Sequence, residues 1–172
     1  MTEARFEYRV EPLDASHNRG AFQCGEPELD QYLQRQAGQD ARRKVAAPFV
    51  AASRDGSVLG YYTLSAYGIR AAELTEAMAK RLPRYPLLPA TLLGRLAVST
   101  SCRGAGLGRF LLMDALLRSL RNTSQVASIG VVAEAMHETA RQFYLHYEFQ
   151  SLADHPSRLF LPMATIEKAF KP

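Results

Sequence analysis

Residues Leu92 to Leu120, LLGRLAVSTSCRGAGLGRFLLMDALLRSL, restrict the architecture of this chain more than any other stretch. The apolar run Leu92–Val98 has the length of a buried strand. A polar turn from Ser99 to Cys102 follows, then Arg103-Gly104-Ala105-Gly106-Leu107-Gly108, then an apolar segment at helical spacing. A strand, a glycine loop and a helix in that order leave unpaired backbone N–H groups at the helix start, where the helix dipole also favours negative charge. Glycines at 104, 106 and 108 let a ligand approach the main chain and let the loop take positive φ. The expectation is an anion site, for a phosphate or pyrophosphate. Two familiar phosphate loops do not fit. Arg109-Phe110 stands where a P-loop needs Lys-Ser/Thr, and Arg109 stands where a dinucleotide loop needs its third glycine. A turn that merely joins a strand to a helix is the plain alternative.

The rest of the chain, at 172 residues, suits one well-buried domain, 1–172. No apolar run approaches the length of a membrane span, and MTEARFEYRV is not a signal peptide, so a cytoplasmic protein without membrane contact is expected. Cys24 and Cys102 are far apart and lack metal spacing, which suggests free thiols, and the four histidines form no ligand pattern; no metal is expected. A net charge of +4, from 21 basic and 17 acidic residues, suits a polyanionic partner.

Alternation over Phe6–Leu13 predicts a strand, and Glu26-Pro27-Glu28-Leu29-Asp30 opens a helix that fades through Gln36 to Asp40. Val45–Ala52 and Val58–Ala66 read as a hairpin about Asp55-Gly56. Ala71–Leu82 has helical composition, and Pro86 and Pro89 then impose an extended path. From Leu107 to Leu120, Phe110, Met113, Leu117 and Leu120 mark an inner face widened by Leu112 and Leu116, with Asp114, Arg118 and Arg121 solvated. A strand over Ala127–Ala133, a helix over Glu138–Tyr147 and a closing strand over Arg158–Met163 complete a mixed α/β chain.

The loop resembles the acetyl-CoA signature of the GNAT acetyltransferases, Arg/Gln-x-x-Gly-x-Gly/Ala, with Arg103 to Gly108 in its places. The resemblance implies a GNAT fold, a single central mixed twisted sheet of about six to seven strands flanked by about four helices. It also implies acetyl-CoA as co-substrate, with loop amides on the pyrophosphate and the preceding strand's backbone on the pantetheine arm. The cofactor-binding residues implied are Leu96, Ala97, Val98, Arg103, Gly104, Ala105, Gly106, Leu107, Gly108 and Arg109. Arg141-Gln-Phe143-Tyr144-Leu-His-Tyr147-Glu148-Phe149 resembles the family's FYxxxGF segment, whose tyrosine is the general acid; Tyr144 takes that place. The chemistry agrees, because amine attack on a thioester expels a thiolate that needs a proton, and a phenol of pKa about 10 still carries one at neutral pH. Phe143 and Tyr147 read as the inner face of the helix. Glu148 occupies the position usually held by glycine, which either strains or reshapes the turn.

Most of the chain is similar to one branch of that family, the toxins of type II toxin–antitoxin modules that acetylate aminoacyl-tRNA. The residues that carry the likeness are Phe22-Gln-Cys24-Gly25, Leu29-Asp30 with Tyr32-Leu33, Leu93 to Val98, Phe143-Tyr144 and Arg158 to Met163. The branch implies acetylation of the α-amine of a charged tRNA, a small antitoxin that is commonly a ribbon-helix-helix protein, and a homodimer. An α-amine with a pKa near 7.7–8.0 is partly neutral already and needs no strong base. Glu134 and His137 are candidate bases, and each could equally cap or solvate the helix that follows. Arg42, Arg43, Lys44, Lys80, Arg81, Arg84 and Arg95 are the candidate substrate-binding cations; singly each reads as a solvated face, together they favour RNA. Two other functions fit the same residues: a GNAT enzyme for a small-molecule or protein amine, and a non-catalytic CoA- or RNA-binding module.

Overall fold

A computed structural model describes residues 7–153 and 155–172. Its strands form a seven-stranded sheet in the order β1-β2-β3-β4-β5-β7-β6, where β1 is Tyr8–Pro12, β2 Ala47–Ser53, β3 Val58–Arg70, β4 Leu87–Val98, β5 Gly130–Glu134, β6 Gln150–Leu152 and β7 His155–Pro162. The chain divides into two compact units. One comprises the described residues through Leu64 together with Arg95–Ala115, the other Ser65–Gly94 with Leu116–Pro172.

In the first unit β1 runs antiparallel to β2 (Tyr8↔Ser53 to Pro12↔Phe49), and β2 antiparallel to β3. Phe6, the expected start of β1, lies outside the described residues. The β2–β3 turn forms because Gly56 takes φ +85° while the Asp55 carboxylate accepts from Ser53 Oγ and the Ser57 amide. Helix α1 (Pro27–Gln31) passes through a π-helical segment (Tyr32–Gln36) into α2 (Ala37–Arg42). The helix therefore does not fade through Gln36 to Asp40 but continues to Arg42. Leu33 and Ala37, four apart, are fully buried, so the polar residues beyond them are its outer face. Both Val45 and Ala46 donate to the Asp40 carbonyl and Lys44 takes φ +61°, so β2 begins at Ala47, two residues later than expected. Phe22, Tyr32, Leu33, Val50, Val58 and Tyr61 form this unit's core.

Helix α4 (Leu107–Asn122) buries Leu107, Leu111, Leu112, Ala115, Leu116 and Ser119. The expected face through Phe110 is displaced by one position, and Phe110 is 46% exposed, edge-on to Tyr8. Either leucine stripe satisfies helical spacing; Gly60 decides between them. A Cβ there would lie 2.8 Å from Leu111 Cδ1 and 2.9 Å from the Ala97 carbonyl, so the bare backbone of β3 admits Leu107 and Leu111. Asp114 is not a solvated residue either: it is partly buried and accepts from the Tyr62 hydroxyl.

In the second unit β4 and β5 pair in parallel (Thr91↔Val131 to Leu93↔Ala133), β5 and β7 antiparallel, and β6 and β7 antiparallel. Gly130 opens β5 three residues later than predicted, and a Cβ there would lie 2.4 Å from the Leu161 carbonyl, so the strand approaches β7 on bare backbone. Ala71–Leu82 is not one helix. Ala71 donates to the Pro86 carbonyl, leaving a 3-10 turn (Ala71–Glu73) and a four-residue α3 (Glu76–Ala79) capped by Thr75. Helix α5 spans Glu138–His146. The closing strand ends at Pro162, which N-caps α6 (Met163–Ala169), an element absent from the sequence reading because Ile166 is its one buried side chain. The three-residue β6 is too short to show a period.

Candidate active site

The glycine loop belongs to the first unit. Ser99 donates to the Leu59 carbonyl and Thr100 to that of Gln23, which fix the loop's entry. Gly104 and Gly106 take φ +78° and +80°, and a Cβ at either would meet nothing within 4 Å. These glycines serve backbone dihedrals and open access, not packing. Gly108 instead lies in the first turn of α4 and is not among the positive-φ glycines. The amides of Gly104, Gly106, Leu107, Gly108 and Arg109 find no acceptor among the described residues. They sit at the positive end of a sixteen-residue helix. That is a fit for a pyrophosphate, through main-chain donors.

Arg103 is exposed but not free. Its Nη2 donates to the Cys24 carbonyl, and Gly25, at φ +92°, is bare where a Cβ would stand 2.6 Å from that nitrogen. The Cys24 amide in turn donates to Asp30 Oδ1 at 2.8 Å, and the Tyr61 hydroxyl to the Leu29 carbonyl at 2.7 Å. The Phe22–Gly25 and Leu29–Leu33 segments are thereby tied to the loop. Burial and the Asp30 carboxylate push the Cys24 thiol up to about 11, so it is inert at neutral pH. Leu96 and Val98 are partly buried and Ala97 buried on β4.

Arg95 lies on the same strand, partly buried, with its guanidinium carbon 3.5 Å from the Tyr32 ring centroid. The Tyr32 hydroxyl donates to Asp40 Oδ2 at 2.9 Å, and its ring stacks on Tyr61 at 6.3 Å. Burial, then the Asp40 bond, pushes the Tyr32 phenol up to about 12, so Arg95 lies over a neutral ring.

Tyr144 belongs to the second unit. It is 4% exposed, with Phe143 edge-on at 5.4 Å and Phe149 tilted at 5.2 Å. Its hydroxyl makes no hydrogen bond among the described residues, yet no fully buried side-chain oxygen there lacks a partner. The oxygen is therefore not wholly sealed from solvent, although the side chain as a whole is buried. Burial alone raises this phenol well above its ordinary value of 10.0, so it holds its proton across the physiological range. Phe143 and Tyr147, expected on the inner face, are only partly buried.

Glu148 takes φ +71°, so the chain strains and keeps the glycine geometry. Phe149 donates to the Tyr144 carbonyl at 3.2 Å and Glu148 to that of Leu145 at 3.1 Å, which is a Schellman cap with glutamate in the glycine place. Neither candidate base is at liberty. Glu134 accepts from Arg158 Nε at 3.0 Å, and His137 Nδ1 accepts from the Ala140 amide as the N-cap of α5.

The candidate cations divide between the units. Arg42 ends α2, Arg43 and Lys44 follow it and Arg95 lies on β4, all in the first unit, while Lys80, Arg81 and Arg84 lie in the second. None of the seven pairs with a described carboxylate. Lys80 and Arg81 border a cavity of about 910 Å³ together with Lys168, Met78, Leu82 and Phe160, a feature that sequence spacing did not reveal. Among the described residues no group of His, Cys, Asp and Glu is placed to hold a metal, and no helix is long and apolar enough to cross a membrane.

Residues 13–149 match the family model described as the acetyltransferase (GNAT) family. The chain is 34% identical over 143 residues to a tRNA-acetylating toxin of Mycobacterium tuberculosis, covering 83% of this chain and 84% of the toxin. Among solved structures, AtaT complexed with acetyl-methionyl-tRNAfMet superposes with a TM-score of 0.88 at 30% identity, over 96% of this chain and 100% of AtaT. A tyrosine-to-phenylalanine variant of AtaT, bound to the C-terminus of the antitoxin AtaR and to acetyl-CoA, superposes with a TM-score of 0.83 at 26% identity, over 96% and 99% of the two chains.

Proposed function

Because the chain belongs to the GNAT acetyltransferase family, we propose that it is a toxin that acetylates the α-amine of aminoacyl-tRNA and so blocks translation. The observation that carries the acceptor is the 34% identity to a tRNA-acetylating toxin across 83% of the chain. As a GNAT enzyme it takes acetyl-CoA, which supplies the acetyl group as an activated thioester.

The amides of Gly104, Gly106, Leu107, Gly108 and Arg109 hold the pyrophosphate, with Ala105 completing the loop and Arg103 bracing it through Cys24. The backbone of Leu96, Ala97 and Val98 receives the pantetheine arm. The substrate's neutral α-amine attacks the carbonyl carbon, the C–S bond breaks, and Tyr144 Oη gives its proton to the departing sulfur. The acetylated nitrogen releases its extra proton to water, which suits a site whose carboxylate and imidazole candidates are already bonded. Tyr144 is then reprotonated from solvent through the oxygen that still meets it. Arg42, Arg43, Lys44, Lys80, Arg81, Arg84 and Arg95 receive RNA phosphates. The whole of 1–172 serves as one catalytic domain, in the cytoplasm and as a homodimer, restrained by a ribbon-helix-helix antitoxin.

The test presents acetyl-CoA with charged tRNA and, separately, with free amino acids and a protein amine. Mass spectrometry of the nuclease-released aminoacyl-adenosine should find acetyl on the α-nitrogen. Acetylation of free amines alone, with charged tRNA untouched, rules the reading out.

A further inference from the structure

A half-buried arginine that serves only the fold usually spends its five N–H groups on carbonyls or carboxylates. Arg95 spends none: it is partly buried and makes no hydrogen bond or ion pair with a described residue. A carboxylate on the same helix as Tyr32, that of Asp40, accepts from the Tyr32 hydroxyl at 2.9 Å. Arg95 instead lies over the Tyr32 ring, its guanidinium carbon 3.5 Å from the centroid, a contact that positions the guanidinium without using any of its N–H groups.

The helix is built to keep that ring in place. In an uninterrupted α-helix Tyr32 and Asp40, eight residues apart, would project about 80° from one another. The π segment Tyr32–Gln36, closed by the Ala37 amide on the Tyr32 carbonyl, spends one residue extra and brings the pair within about 20° of one face. Asp40 can then hold the hydroxyl, while Tyr61 backs the ring at 17° from parallel.

We propose that Arg95 is a phosphate clamp for the RNA acceptor, taking a phosphodiester of the tRNA on its free N–H edge, and that Tyr32, fixed by Asp40, is its positioning residue. The proposal rests on the charged-tRNA reading. A planar fork held by stacking matches two phosphate oxygens at once, which a lysine cannot do.

The test compares wild type with Arg95→Gln, Arg95→Lys, Tyr32→Phe and Tyr32→Leu. Each is assayed on charged tRNA over a range of salt and on an amino-acid methyl ester, which offers the α-amine without a phosphate. Calorimetry gives the acetyl-CoA affinity. Arg95→Gln should raise the tRNA KM roughly tenfold with kcat little changed, and should flatten the log–log salt slope by about 0.7, the share of one single-strand phosphate contact. Arg95→Lys keeps the salt slope but not the KM. Tyr32→Phe keeps the ring but releases Asp40 to compete for Arg95, and should raise the tRNA KM to a value between those of wild type and Arg95→Gln, whereas Tyr32→Leu should follow Arg95→Gln. If Tyr32→Leu does not fold, the Arg95 pair still decides. A wild type active on tRNA with an unchanged salt slope in Arg95→Gln overturns the clamp alone, as does an equal loss on the ester. A weakened acetyl-CoA affinity with unchanged tRNA KM also overturns it, by assigning Arg95 to a CoA phosphate. A wild type inactive on every charged tRNA overturns the acceptor reading and the clamp together.

Discussion

Tyr144 and Glu148 lie four residues apart and carry opposite kinds of cost. The Tyr144 oxygen gives up a protein partner and is left to meet solvent, while burial holds its proton in place. Tyr144→Phe should lower kcat by about 10²- to 10⁴-fold and leave the acetyl-CoA affinity within twofold, read by steady-state kinetics and calorimetry. The sign of the pH dependence follows. A general acid whose pKa is raised stays active until alkaline pH, so kcat/KM should rise as the substrate amine deprotonates near pH 8 and show no fall up to pH 9.5. A fall between pH 7 and 9 would assign the donor elsewhere. Glu148 pays in backbone strain: its left-handed φ is one that glycine adopts freely. Glu148→Gly should stabilise the protein by about 1 kcal/mol, seen as a higher urea midpoint with an unchanged slope. The motif around Tyr144 was legible in the residues; whether the turn would strain or reshape was not, because that depends on the Phe149 and Glu148 amides finding the last carbonyls of α5.

At the scale of elements, glycines with the same letter do different work. At Gly106 a methyl group has room but the wrong dihedral; at Gly130 the dihedral is ordinary but a methyl would strike the Leu161 carbonyl at 2.4 Å. Gly106→Ala should therefore fold with a loss of about 1 kcal/mol and bind acetyl-CoA poorly. Gly130→Ala should cost about 3 kcal/mol or leave the chain unfolded, because β5 cannot then approach β7. Thermal melts with calorimetry distinguish the two, and a Gly106→Ala protein with full cofactor affinity would contradict the amide-cradle reading. The strand, loop and helix from β4 to α4 were visible because glycine placement and apolar period agree there. Composition predicts a helix over Ala71–Leu82 that does not form as one, because it carries no sign that Ala71 bonds back to Pro86.

Across the whole molecule, tyrosine burial sets the alkaline limit of the fold. Tyr8, Tyr32, Tyr61, Tyr67 and Tyr144 are all raised above 10.0, with burial the largest cause in each, and Cys24 is raised from 9.0 to about 11. Groups raised in the folded state contribute stability that is complete below their unfolded values and is lost as the unfolded chain ionises first. The melting temperature should thus be insensitive to these groups from pH 7 to 9 and fall between pH 9 and 12; a flat profile to pH 12 would show these tyrosines to be solvated. By itself the sequence determined the family and the strand, glycine loop and helix that carry the proposed anion site, because each rests on a local pattern of residue types that the backbone must obey. Tertiary structure alone decided which leucines of α4 face inward, that Arg103 braces the loop through Cys24, and that Arg95 lies unpaired on Tyr32. Those outcomes depend on residues far apart in the chain, where Gly60, Gly25 and a π turn permit close approach, and no local period encodes such approach.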